Sequence, residues 1–167
     1  MPSRIILLSC LCLSLMPWHF AFGQLNTGDS PPNYLGNNSQ DQQITLENNK
    51  GKVVIISFWA SWCAPCIEEL PVLEAIQSKI GKDKIHVVAI NYKESRKKYR
   101  RIRKQLSTLS LTMTHDVRGQ IGDEFGVEGI PHLFIVGKDG KLIFQNVGYG
   151  ESSIDKIINV LNSELSS

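Results

Sequence analysis

The chain has 167 residues, enough for one domain with a full core. Its apolar content of 42% and charged content of 20% fit neither a disordered chain nor a fibre. A formal net charge of +2 is too small to mark a nucleic-acid-binding surface, so no nucleic-acid partner is expected.

Residues 1–23 read as a targeting segment. Arg4 gives a positive start, Ile5 to Met16 is almost wholly apolar, and Ala21-Phe22-Gly23 places small residues for cleavage before Gln24. An uncleaved anchor is the alternative: Ile5 to Phe22 has about the length of a tilted span, roughly 17–25 residues, though Pro17, Trp18 and His19 suit it poorly. A lipoprotein signal at Cys10 is disfavoured, because few apolar residues precede that cysteine. Each reading sends the mature domain to the periplasm or another extracytoplasmic space.

Residues 24–43 are rich in Asn, Gln, Gly, Ser and Pro, which indicates a leader with little core-forming capacity. The folded domain is expected over 44–167. Ile44-Thr45-Leu46 suggests a short edge strand. Val53 to Trp59 is a continuous β-branched and aromatic run, as a strand buried on both faces requires. Cys63 to about Ile80 reads as a helix, with Ile67, Leu70, Leu73 and Ile76 as its apolar stripe, Pro71 as a kink and Gly81 as its stop. Ile85 to Ile90 is a second buried strand, completing a right-handed strand–helix–strand unit.

Ser95 to about Leu106 predicts a charged helix with a stripe at Tyr99, Ile102 and Leu106. A strand over Leu111 to His115 and a short helix over Gln120 to Phe125 follow. Leu133–Val136 and Lys141–Phe144 flank Gly137-Lys138-Asp139-Gly140, a hairpin with Asp-Gly turn chemistry. Glu151 to Leu165 closes the chain as an amphipathic helix. Parallel strands followed by an antiparallel hairpin, with helices between them, indicate an α/β fold with a mixed central sheet.

Without residues 1–23, only Cys63 and Cys66 remain as cysteines. One closely spaced pair constrains the unfolded chain little, so it reads as working chemistry rather than a staple. Cys63 is expected at a helix N-terminus, where free N–H groups and a partial positive charge favour the thiolate, the attacking species. Cys66 lies one turn further in and should be less exposed. Half of a zinc site is the plainer reading of such a pair, but no second cysteine pair or close histidine pair is present to complete it. No cofactor is expected.

Ser57-Phe58-Trp59-Ala60-Ser61-Trp62-Cys63-Ala64-Pro65-Cys66 resembles the active site of the thioredoxin superfamily. Pro71 stands where that family kinks its first active-site helix, and Gly129-Ile130-Pro131 resembles the loop whose cis-proline faces the dithiol. The closest resemblance is to the exported TlpA/ResA/DsbE (CcmG-like) branch, over roughly residues 27–165. Its carriers are Thr45-Leu46, Lys50 to Val54, Val88 to Glu94, the charged helix as an inserted βα element, Gly126-Val127, the Gly137–Gly140 turn and Gly148.

The resemblance implies a thioredoxin fold with an N-terminal extension and a thiol:disulfide oxidoreductase. Its catalytic residues would be Cys63, Cys66, Glu69 and Pro131, with Trp62, Ile130 and His132 contacting substrate. Glu69, three residues after Cys66, would handle protons; a solvent-facing charge is its plainer reading. Ser57 departs from cytosolic thioredoxin, whose buried acid falls there; that role is either absent or taken by Glu69. His132 is placed to touch a client or to give a third soft-metal ligand, and a rim loop histidine is the plainer reading. Ala64-Pro65 lacks the histidine of strong oxidants, which favours a reductant. By analogy the clients would be exported disulfides, apocytochrome c first, with a membrane thiol-reducing electron donor behind a monomeric enzyme. Alternatives are a copper(I) delivery protein, for which two thiolates suffice as soft ligands, and a disulfide-donating oxidase.

Overall fold

The computed structural model describes residues 24–166; the targeting segment expected over 1–23 lies outside them. The described chain opens with a hairpin of β1 (Tyr34–Asn37) and β2 (Gln43–Thr45), paired antiparallel. A 3-10 turn over Glu47–Asn49 then leads into β3 (Val53–Trp59), every residue of which is buried. The order continues with α1 (Ala64–Ile80), β4 (Ile85–Tyr92), α2 (Arg96–Gln105), β5 (Thr112–Asp116), α3 (Gln120–Glu124), β6 (His132–Val136), β7 (Leu142–Val147) and α4 (Glu151–Ser166).

The main sheet has five strands in the order β5-β4-β3-β6-β7. β3, β4 and β5 run parallel, while β6 and β7 are antiparallel to their neighbours. Alternation along β3 feeds two cores. Val53, Ile55 and Trp59 join Leu70 and Leu73 of α1, Ile157 and Leu161 of α4, the half-buried Tyr99 and Ile102 of α2, and Leu106 at its C-terminal cap. Val54, Ile56 and Phe58 meet Ile121, Phe125 and Leu35 on the other face. There Phe58, Phe125 and Phe134 form an aromatic triangle with centroids 5.2–5.9 Å apart. Each such ring contributes on the order of 1.5–3 kcal/mol by burial.

Two differences from the sequence reading have clear causes. The residues read as a leader belong to the domain: Leu35 is fully buried, and Thr114 Oγ1 donates to its carbonyl at 2.6 Å. Gly28 N–H bonds Leu142 O at 2.8 Å and Leu142 N–H bonds Asp29 O at 2.9 Å, so this segment also follows β7. Its polar composition serves turns, while Leu35 and the half-buried Leu25 supply apolar anchors that a composition average hides. The buried stripe of α1 is also partly polar, taking in Glu69 and Gln77 beside Cys66, Leu70 and Leu73. Gln77 Oε1 accepts from the Val87 N–H at 2.7 Å, which satisfies it inside the core. The helix is continuous through Pro71.

Candidate active site

The strand arrangement gathers several loops at one end of the sheet. β3 ends at Trp59, β4 at Tyr92 and β5 at Asp116, all parallel, while β6 begins there at His132. The carboxyl ends of parallel strands are where open α/β sheets place their ligands. The segment 60–63 and the loop 129–131 both sit at that end.

Cys63 is the N-cap of α1, with Pro65 in the first turn, where a missing N–H costs nothing. Its carbonyl accepts the Ile67 N–H at 3.1 Å. Cys63 and Cys66 are joined by a disulfide, with Cα atoms 5.3 Å apart. Cys63 retains 5% exposure and Cys66 none, so an incoming sulfur reaches Cys63. Trp62 beside it is 68% exposed, a large apolar surface at the mouth.

Glu69 is buried one turn beyond Cys66. The Ser57 hydroxyl donates to its Oε2 at 2.6 Å. Burial pushes the Glu69 pKa up to about 7, and the Ser57 hydrogen bond opposes this only in part. A carboxyl with that value exchanges its proton near neutral pH. The carboxyl thus comes from the helix and meets a hydroxyl on the strand.

The chain between strand and dithiol is held by a second carboxylate. Glu94 accepts from the Ser61 N–H at 3.0 Å, from the Ser61 hydroxyl, and from Asn91 Nδ2 at 2.9 Å. Burial disfavours its charge, but these bonds and nearby Lys98 hold its pKa below the ordinary value. It is therefore a fixed anion that clamps the residue two before Cys63. Below it, Trp59 Nε1 and Asn91 Oδ1, on residues paired across β3 and β4, are buried without a hydrogen-bond partner. Opposite, the Ile130–Pro131 bond is cis, and Pro131 O accepts the Gly148 N–H at 2.8 Å, tying this loop to the end of β7.

Comparison with known proteins bears on what this geometry does. The AhpC/TSA family description matches residues 27–145. A thiol-disulfide oxidoreductase ResA of Bacillus thuringiensis is 29% identical over 84% of this chain and 83% of its own. The thioredoxin-like protein YneN of Bacillus subtilis is 30% identical over 75% of this chain and 73% of its own. The chain belongs to the AhpC/TSA family. A structure from Chlorobium tepidum assigned to the thiol:disulfide interchange protein DsbE superposes on this family member with a TM-score of 0.75. It is 28% identical and covers 85% of this chain and 99% of its own.

Within the family this is a thioredoxin-fold thiol:disulfide oxidoreductase of the ResA/DsbE kind, with Cys63–Cys66 as its disulfide. The structure brings Cys63, Cys66 and Glu69 together on α1, with Trp62 at the mouth and the Ile130–Pro131 loop at the same sheet end. It sets His132 apart. His132 pairs with Phe58, is 3% exposed, and stacks on Phe134 at 4.2 Å. It therefore occupies the sheet face away from the dithiol, as neither rim contact nor third soft ligand. Burial lowers its pKa, against opposing contributions from Gln145 and Glu128.

Sequence reasoning missed two pairings. Glu94 was visible as a family-pattern acid, but its bond to Ser61 spans 33 residues, with α1 and β4 between them. Ser57 was legible only as a departure from the thioredoxin acid; that its hydroxyl would meet Glu69 needed the register of α1 over β3.

Proposed function

We propose that this enzyme is an exported reductant of disulfides in client proteins. The carrying observation is the asymmetry of the dithiol: Cys63 at the surface on a helix N-terminus, Cys66 enclosed beside Glu69. In the cycle, the Cys63 thiolate attacks a client disulfide, forming a Cys63–client bond and releasing one client thiolate. Cys66 gives its proton to Glu69 and attacks the Cys63 sulfur. The Cys63–Cys66 bond forms, the second client thiolate leaves, and two electrons have passed to the client. An external dithiol donor at the membrane restores the pair.

Trp62, Ile130 and Pro131 would hold the client chain across Cys63. Ala64 and Pro65 carry no charge that would stabilise the thiolate further, which supports a reductant over an oxidase. Residues 1–23 support export, and no helix among the described residues is long and apolar enough to cross a membrane. Oxidised apocytochrome c is the leading client, by analogy with the exported TlpA/ResA/DsbE branch that the active-site segment resembles.

The deciding measurement is the reduction potential of Cys63–Cys66 in graded thiol buffers. A value near or below about −270 mV supports the reductant. One near about −120 mV reverses the assignment to a disulfide donor.

A further inference from the structure

Seven of the ten residues of α2 are Lys or Arg, and none is acidic. Without them this chain of net charge +2 would be acidic. None of the seven lies within 4.0 Å of a carboxylate oxygen among the described residues. The sequence alone favours a solvated helix face for such a run. The placement of the helix argues otherwise.

Tyr99, Ile102 and Leu106 turn α2 inward, dividing its cations between two flanks. One flank, with Arg100, Arg103 and Lys104, faces the Asn38–Gln40 turn of the hairpin. The other faces the dithiol loop. There Ser61, Lys98, Arg101, Ile102 and Gln105 line a groove of about 270 Å³, room for one or two side chains. Ser61 is two residues from Cys63, so one wall of the groove belongs to the segment that leads into the attacking cysteine. Glu94 is buried, already accepts from Ser61 and Asn91, and feels the charge of Lys98, yet neither Lys98 nor Arg101 forms an ion pair among the described residues, so both can also face a ligand.

We propose that this groove docks acidic side chains that flank the client's cysteine, with Lys98 and Arg101 as the residues that hold them. This rests on the reading of the protein as an oxidoreductase of client disulfides and names the chemistry of those clients. An anionic membrane surface would spread over both flanks of α2, whereas the groove singles out the flank next to Cys63.

The test uses peptides with one internal disulfide, flanked by Asp and Glu or by Lys. The reduced protein should reduce the acidic peptide about ten-fold faster than the basic one at low salt, with the gap closing in high salt. Lys98→Glu with Arg101→Glu should invert this ratio. Lys98→Arg with Arg101→Lys should keep it, as should Arg100→Glu with Lys104→Glu on the other flank. The ratio is taken within each variant, so a partial loss of fold cancels.

A ratio near one in the native protein overturns the proposal. So does an equal fall in both reversal variants, which would mean a diffuse field. A ratio near one with binding to phosphatidylglycerol vesicles, lost in both reversals, would assign the helix to a membrane surface. Binding of the same peptides, with serine for cysteine, to the oxidised protein reads docking without chemistry. Tight binding of the acidic peptide with no reduction of either would keep the docking and sink the reductant.

Discussion

Glu69→Gln in the oxidised protein separates the buried carboxyl from every other titrating group. Burial holds Glu69 at about 7, against 4.5 for the free side chain. Between those values the folded protein keeps a proton that the unfolded chain releases. The native state binds more protons there, so stability falls as pH rises from below 4.5 to above 7. A gap of about 2.5 in pKa corresponds to about 3 kcal/mol. Glutamine carries no charge and still accepts from Ser57. The variant should therefore gain on the native protein by about 3 kcal/mol between about pH 4 and pH 8.

The assay is urea unfolding across that range. In the oxidised form the cysteines do not titrate. Burial lowers the pKa of His86 and His132, so each costs stability as pH falls below its unfolded value. Both proteins carry these histidines, and the subtraction removes them. A difference that stays flat across the range, or grows toward acid, refutes a neutral-range Glu69.

Cys66→Ser should leave a mixed disulfide on Cys63 that mass spectrometry detects, while Cys63→Ser should lower disulfide reduction by about a thousand-fold or more. Leu35→Ala should destabilise the domain by about 2–5 kcal/mol in denaturant melts. A loss below about 0.5 kcal/mol would mean that residues 24–43 are only a tether. Gln77→Leu leaves the Val87 N–H unpaired in the core and should cost about 1–3 kcal/mol, read in the same melts.

The central strands and the dithiol helix were legible because their signals are local. Val53–Trp59 is apolar throughout, and Cys63-Ala64-Pro65-Cys66 joins a motif to a helix start. Ser95 was readable as the start of α2, where its hydroxyl accepts the Lys98 N–H at 3.4 Å. What failed were features decided by a distant partner. Leu35 is one apolar residue among polar neighbours, and only Thr114 and the second core make it structural. His132 was read from its place after Pro131, but the pleat of β6 turns it toward Phe134. One residue of register separates that face from the dithiol. Glu68 and Glu69 look alike in sequence; 2% exposure and the Ser57 hydroxyl distinguish the second.

The way the first described residues are fastened has a consequence for the order in which the chain can settle. Leu35 is tied to Thr114 across 79 residues, and Leu25 O receives Gln145 Nε2 across 120. A chain emerging N-terminus first must carry this segment with only its own hairpin pairing until β5 follows. Partial products ending before β7 would lack Leu142 and Gln145 as anchors. The first described segment is thus fastened in two stages, Leu35 once β5 is present and Leu25 only once β7 is.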